Sequence, residues 1–328
     1  RALKAIGRAL AGAAGSDAQV LSLALGALVE SGASPEIAWP AVARDLEDLL
    51  ARATTFATAA IRRAKDEHVE TALEACGAEL AKKRPEEAAA WSALPSRCLA
   101  AVACLTRSKK LRAKEARRQH LLRAAWPLTE VVPEVDYLAQ ALRVVDDAAL
   151  LVLAPASGQG WHVSVDALAS NGQLYALLGD ALVGGPKKRL GLAGKRPDRR
   201  AIAAIRKAVA PKGGALPVSV PFVLVAPSAV RPDGTLPATD RELVDHVIPV
   251  EGLPADIVPL NGQRLVLVRP IARPRPFLLA PPFEGLRPEL SVESALSTED
   301  VVRTMIALAA ASAASRPARP RRSSTERH

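Results

Sequence analysis

Aromatic residues are scarce in this chain. Phe, Trp and Tyr together make up 3% of its 328 residues, and most of the apolar side chains are Ala, Leu or Val. Proteins that bind single-stranded nucleic acid stack the bases on aromatic rings. The composition therefore predicts aliphatic cores and argues against single-strand binding.

Cysteine is also scarce. The chain has three cysteines, Cys76, Cys98 and Cys104, without the spacing of a disulfide framework. An odd number of this kind is typical of reduced thiols, so we expect a cytoplasmic protein in which Cys98 and Cys104 are buried. No run approaches the roughly 18 uninterrupted apolar residues of a membrane span, so we expect no integral membrane segment. A composition rich in Ala, Arg, Pro and Gly indicates a bacterial origin.

Motifs for catalysis or cofactor binding are missing from the sequence. It contains no CxxC, HExxH or GxSxG motif and no dinucleotide fingerprint, and its five histidines are dispersed. The loop from Gly184 to Arg196 superficially resembles a phosphate-binding loop. However, Arg189 stands where its first glycine belongs, and Arg196 stands where Ser or Thr should bind magnesium. We therefore expect no metal and no cofactor, and we favour a protein that is not an enzyme.

Positive charge is concentrated in three segments of a chain whose net charge is +10. Residues 187–212 contain ten Lys or Arg against one acid, residues 107–123 contain eight against one, and residues 316–327 contain five against one. The remainder is acidic overall. Such patterning indicates an anionic partner.

The second of these segments predicts a basic helix. Arg107, Lys110, Lys114 and Arg117 fall at positions i, i+3, i+7 and i+10, which share one face of a helix, and Arg118 lies beside them. This stripe can bind an anionic partner. Alternatively, the same charges are solvated or paired with acidic groups of this chain.

The first segment predicts a flexible anion-binding loop followed by a helix over residues 198–209, with Ile202, Ile205 and Val209 facing inward. Glycines and cations together suit a phosphate backbone, whereas the alternative is a solvated loop. The candidate anion-binding residues here are Lys187, Lys188, Arg189, Lys195, Arg196, Arg199 and Arg200.

The order of periodic segments predicts an α+β protein. We expect an N-terminal all-α helical domain over residues 1–148 and a smaller α+β domain with a mainly antiparallel sheet over 149–311. A disordered basic tail follows over 312–328. Within these parts, residues 41–81 read as one helix, 150–166 as a β-hairpin and 171–183 as an amphipathic helix. The Pro-rich residues 270–288 read as an extended crossing with little regular structure.

A weak catalytic candidate lies on the predicted hairpin. His162, Ser164 and Asp166 alternate along one strand and so share one face. Neighbouring positions on that face stand ~7 Å apart, too far for a Ser–His hydrogen bond, and polar residues are what a solvent-facing strand displays.

Three functions remain open from the sequence. The leading hypothesis is a cytoplasmic, non-enzymatic binding or regulatory protein that engages an anionic macromolecule, either an acidic protein surface or nucleic acid. The alternatives are a hydrolase or transferase with its site at the His162 strand face, and a structural subunit of a larger assembly. The oligomeric state stays open. Whether segments 107–123 and 187–212 share a face bears directly on the first hypothesis.

Overall fold

The fold is α+β, as the sequence predicts, with helices first and a sheet afterwards. The computed structural model describes residues 1–13, 15–65, 68–184, 192, 194–209, 214–260, 262–280 and 282–314. The predicted basic tail therefore lies, from residue 315 onward, outside the described residues.

Nine helices form the first part of the described chain. They are α1 (Ala2–Leu10), α2 (Gly15–Glu30), α3 (Pro35–Ala43), α4 (Leu46–Ala64), α5 (Val69–Lys83), α6 (Pro85–Arg107), α7 (Lys109–Arg112), α8 (Glu115–Ala125) and α9 (Pro133–Leu142).

Helix α6 is the centre of this bundle and packs against α2, α4 and α9. Leu94, Cys98, Ala101 and Leu105 on α6 are fully or almost fully buried, and the many alanines let neighbouring helices approach closely. By length and composition α6 could cross a membrane. However, 61% of its most apolar window is buried inside the protein, which is what a core helix shows.

The prediction of one helix over residues 41–81 is wrong. Helix α4 ends at Ala64, and Lys65 adopts the left-handed conformation with φ of 54°. The chain then turns back as α5, so that the Cys76 thiol approaches the Ala60 carbonyl at 3.7 Å. The result is an antiparallel helical pair in place of a single long helix.

The second part holds the remaining elements. They are β1 (Ala148–Ala154), β2 (Gln159–Asp166), α10 (Asn171–Leu182), α11 (Arg199–Lys207), β3 (Leu216–Val225), α12 (Asp240–Leu243), β4 (Pro259–Leu260), β5 (Gln263–Leu279), β6 (Glu289–Ala295) and α13 (Thr298–Ala314).

The sheet has the strand order β3-β5-β1-β2-β6, with β4 also paired to β5. The predicted hairpin is confirmed, since β1 and β2 pair in antiparallel register. The sheet is mixed, however, and the prediction of a mainly antiparallel sheet is corrected. At its centre β5 runs parallel to β1, because the chain passes through α10, α11 and β3 before it returns beside β1.

Helix α10 is buried on all sides, which corrects the prediction of an amphipathic helix. Ten of its twelve residues are buried. It packs mainly against β3 and β6. Phe277 of β5 packs edge-on against Tyr175 of α10, while Phe222 of β3 stacks on the same ring. The Tyr175 hydroxyl donates to the Ile248 carbonyl at 2.9 Å and accepts from the Leu224 N–H at 2.8 Å.

The Pro-rich segment also differs from its prediction, because β5 continues through Pro270, Pro274 and Pro276 to Leu279. Its pairing with β1 ends at Leu267, and beyond that point it pairs with β3 alone, where Pro270 lies opposite Phe222 and Pro276 opposite Ser219. After β5, Phe283 and Leu286 enter the core of the helical part. The loop after β5 therefore connects the two parts of the protein.

Candidate anion-binding surfaces

The predicted basic helix over residues 107–123 does not exist as one helix. Helix α6 ends at Arg107, and the Ser108 side chain accepts from the Leu111 N–H to cap the four-residue α7. Helix α8 then starts at Glu115, with Lys114 as its N-terminal cap residue. The stripe of i, i+3, i+7 and i+10 positions is therefore broken in two places.

Three of the five predicted stripe residues bind groups of the protein itself. Arg117 donates to the Ala43 carbonyl at 2.7 Å and lies 5.8 Å above the Trp39 ring. Arg118 pairs with Glu115 at 2.7 Å. Arg107 is half-buried, and its side chain packs against Gly285. Of the five, Lys110, Lys114 and Arg117 are exposed, and no described carboxylate lies within ion-pair distance of any of them.

Arg107 also lines a small cavity of about 220 Å³ between α6 and the loop after β5. Tyr137 and Phe283 form part of its wall, and Glu30 approaches the guanidinium at 4.0 Å. The charge of Arg107 is thus partly balanced inside the protein.

Two further cations of the segment join the helical part to the sheet. Arg112 is almost fully buried and donates to both carboxylate oxygens of Asp146, at 2.8 and 2.7 Å, and to the Leu105 carbonyl at 2.6 Å. Lys109 pairs with Asp147 and, at 2.8 Å, with Asp166 at the end of β2. Partial burial opposes ionisation of Asp166, but hydrogen bonds from Lys109 and the Asp147 N–H hold its pKa below the ordinary value.

The basic loop is described only in part, at Gly184, at Leu192 and from Gly194 onward. Lys187, Lys188 and Arg189 lie outside the described residues. Lys195 is exposed, whereas the Arg196 side chain donates from Nε to the Val183 carbonyl. Gly194 has φ of +134° and packs so closely on Pro221 that a Cβ there would lie 2.6 Å from the proline ring. This contact fixes the start of the described segment against β3.

Helix α11 presents a basic outer face. Asp198 caps its N-terminus by accepting from the Arg200 and Ala201 N–H groups, and Ala201, Ile202 and Ile205 are buried. The predicted inward position of Val209 is wrong, because Ala208 turns left-handed, ends the helix and leaves Val209 56% exposed. The exposed cations of the helix are Arg199, Arg200, Arg206 and Lys207.

These four cations fall within an arc of about 120° at 100° per residue. Arg206 pairs with Asp180 at 2.8 Å. In the described part of the chain, no carboxylate lies within ion-pair distance of Arg199, Arg200 or Lys207. We call this set of four cations the α11 face.

The two basic segments lie at opposite ends of α10. Lys109 contacts Asp166, four residues before the Ser170 cap at the start of α10, whereas Arg196 contacts Val183 at its end. A helix of twelve residues is about 18 Å long. The described parts of the two segments are therefore anchored at opposite ends of this helix.

The His162 face of β2 brings no catalytic group together. His162 lies 3.4 Å from the Gln263 side-chain amide, Ser164 hydrogen-bonds with Ser291 and Glu293 on β6, and Asp166 pairs with Lys109. Each of the three side chains is thus bonded to different groups, and none of the three is bonded to another. Strand β6 beside them is largely exposed, so this face is open.

The larger cavity lies elsewhere and was missed from the sequence. It measures about 630 Å³ and is lined by residues of α4 and α5 and by Arg84. Three threonines and three arginines line it, namely Thr54, Thr55, Thr58, Arg62, Arg63 and Arg84. The sequence signal for it is the placement of Thr54, Thr58 and Arg62 at i, i+4 and i+8. A single helix over residues 41–81, however, gives this face no partner.

Within the described ranges, no group of three or more His, Cys, Asp or Glu side chains could hold a metal ion. All three cysteines are free thiols, and burial raises the pKa of Cys104 to about 12. A comparison with family models, curated proteins and solved structures finds no match for this chain.

Proposed function

We propose that this protein is a non-catalytic, cytoplasmic binding protein that engages an anionic macromolecule through the α11 face. The observation that carries the proposal is an exposed helix side with four cations, of which one is neutralised by a described carboxylate. Unpaired positive charges held on a packed helix attract a partner that carries negative charge.

The shape of this face favours a long partner over a small one. A convex helix side cannot enclose a small ligand, which needs a concave site. Double-stranded nucleic acid offers one phosphate charge per ~1.7 Å of its axis, and binding releases its condensed counterions. Since the chain has few aromatic rings for base stacking, a duplex is favoured over a single strand.

The cytoplasmic part of the proposal rests on the thiols. Three free cysteines, with Cys98 and Cys104 buried, suit a reducing compartment.

Fluorescence anisotropy with labelled duplex DNA, duplex RNA and a poly-glutamate peptide tests the proposal. Replacing Arg199, Arg200 and Lys207 by Gln is expected to weaken duplex binding by about tenfold or more at low salt, because three cations near the phosphates are lost. A matched variant with Lys4, Lys82 and Arg123 replaced by Gln removes the same charge elsewhere and should change the affinity by less than about threefold.

If poly-glutamate binds and neither duplex does, the partner of the α11 face is an acidic protein surface instead of nucleic acid. Equal losses in the two triple variants, or no binding to any of the three probes, would overturn the proposal.

A further inference from the structure

The cleft between α4 and α5 has the composition of an anion site. Its wall on α4 carries Thr54, Thr58 and Arg62, one turn apart, with Thr55 on the neighbouring ridge. Arg84, between α5 and α6, also lines it. The cleft is an open groove of about 630 Å³, in which Thr55, Arg62 and Arg63 are exposed to solvent.

A satellite core supports this wall. Phe56, Ala60, Ala72 and Leu80 are buried together between α4 and α5, and Phe56 packs against Trp91 of α6 with ring centroids 6.4 Å apart. The backbone of α4 is thereby fixed, so its polar side chains start from defined positions. A cleft placed on packed helices is more precise than one placed on loops.

The cleft has an excess of positive charge. Arg63 pairs with Glu79, which Lys83 also contacts at 3.0 Å, and these two partners hold the pKa of Glu79 below its ordinary value, with Lys83 contributing most. Arg84 pairs with Glu87 at 3.3 Å. For Arg62, no described carboxylate lies within ion-pair distance. Among the residues that the structure describes, two carboxylates thus accompany three guanidinium groups and a lysine.

The threonines add hydrogen-bonding capacity of two kinds. Thr54 donates to the Leu50 carbonyl and Thr55 to the Ala51 carbonyl, at 2.9 and 3.0 Å, so their hydroxyl oxygens remain as acceptors. Thr58 has no hydrogen-bond partner among the described residues, so its hydroxyl can also donate. Acceptors of this kind match hydroxyl groups on a ligand.

We propose that this cleft binds a phosphorylated, hydroxyl-bearing small molecule, of sugar-phosphate to nucleotide size. The guanidinium groups of Arg62 and Arg84 bind the phosphate, since their planar donors match its oxygens. The threonines bind the ligand's hydroxyls. This site is separate from the α11 face, because it lies in the helical part of the protein and shares no residue with that face.

Isothermal titration of the full chain with glucose 6-phosphate, inorganic phosphate and glucose tests the assignment. Glucose 6-phosphate is expected to bind at least about tenfold more tightly than inorganic phosphate, because hydroxyl contacts add to the phosphate contact. Glucose should not bind at millimolar concentration. Replacing Arg62 and Arg84 together by Gln should weaken the binding of glucose 6-phosphate by about tenfold or more.

Two further variants separate binding from folding. Thr58→Val keeps the shape of the side chain. It should weaken the binding of glucose 6-phosphate by about threefold to tenfold, because one hydrogen bond is lost. Arg52→Gln lies on the same helix outside the cleft, where Arg52 pairs with Asp48 and Glu86, and should leave the affinity unchanged.

Three results would overturn the assignment. The first is that glucose 6-phosphate does not bind at millimolar concentration, and the second is that glucose binds as tightly as its phosphate. The third is that Arg52→Gln and the double variant lose affinity for glucose 6-phosphate equally. Duplex binding by the double variant should stay at the native level, so a failure here is distinguishable from a failure of the α11 proposal.

Discussion

Individual arginines in this protein differ in what surrounds their guanidinium groups. Arg97 is buried and donates to the Ser22 hydroxyl at 3.2 Å and to the Val42 carbonyl at 3.3 Å, and burial lowers its pKa. Arg112 is buried against Asp146. By contrast, Arg199 and Arg200 are exposed at the start of α11. Charge in a sequence segment therefore shows little about function until the partner of each side chain is known.

Replacing Arg112 by Met is expected to destabilise the protein by about 3 kcal/mol, because Asp146 would keep its charge in a nearly buried position without a partner. Urea denaturation measures this free energy of unfolding. Arg303→Met is the control, since Arg303 pairs with Glu299 and Asp300 at an exposed site and should cost at most about 1 kcal/mol. Equal losses would contradict the structural role of Arg112.

The pair of Lys109 and Asp166 predicts a pH dependence of stability. The pKa of Asp166 is lower in the folded protein than in the unfolded chain, so its contribution is present above about pH 4 and is lost as the pH falls through the folded pKa. In Lys109→Met the pKa of Asp166 should rise. The difference in free energy of unfolding between the native protein and this variant should therefore shrink below about pH 4. A constant difference down to pH 2.5 would contradict this assignment.

At the scale of elements, local patterns predict the interior of a helix better than its ends. The periodicity of Leu and Ile correctly places Ile202 and Ile205 inward on α11. It gives no sign of the left-handed Lys65 that turns α4 back as α5, nor of Ala208, which ends α11. The Thr–Arg cleft could not be predicted because it exists only after the first of these turns.

In the sheet, the contacts between neighbours in sequence can be predicted, whereas the contacts between distant segments cannot. Alternation along residues 161–166 predicts β2 and its hairpin, which are contacts between neighbours in sequence. The parallel pairing of β1 with β5 joins Leu150 to Arg264, and nothing in either segment specifies it. The burial of α10 also depends on long-range contacts, because the strands that pack against it, β3 and β6, follow it later in the chain.

Gly194 links local backbone geometry to the position of the basic segment. In Gly194→Ala, a side chain would be placed at φ of +134° and against Pro221, so we expect a loss of about 2 kcal/mol or more in stability. Gly234→Ala is the control, because Gly234 also has a positive φ of 80° but meets nothing within 4 Å. Its expected loss is about 1 kcal/mol. Thermal unfolding compares the two, and an equal loss would contradict the close contact with β3.

At the scale of the whole molecule, the described cations of the two basic segments are held near opposite ends of α10. The cations of α7 and α8 at one end mostly bind carboxylates and carbonyls of the protein, whereas those of the α11 face point outward at the other end. The described cations of the two basic segments are thus divided into a structural and an exposed share. Only the exposed share can release counterions from a partner, so the two shares should differ in their effect on salt dependence.

The most direct test is the slope of the logarithm of the duplex binding constant against the logarithm of salt concentration. Each lost phosphate contact reduces the slope by about 0.9, so replacing Arg199, Arg200 and Lys207 by Gln should reduce it by about 2 to 3. The variant with Lys4, Lys82 and Arg123 replaced by Gln should keep the native slope. An unchanged slope in the α11 variant, or an equal reduction in both variants, would contradict binding through the α11 face.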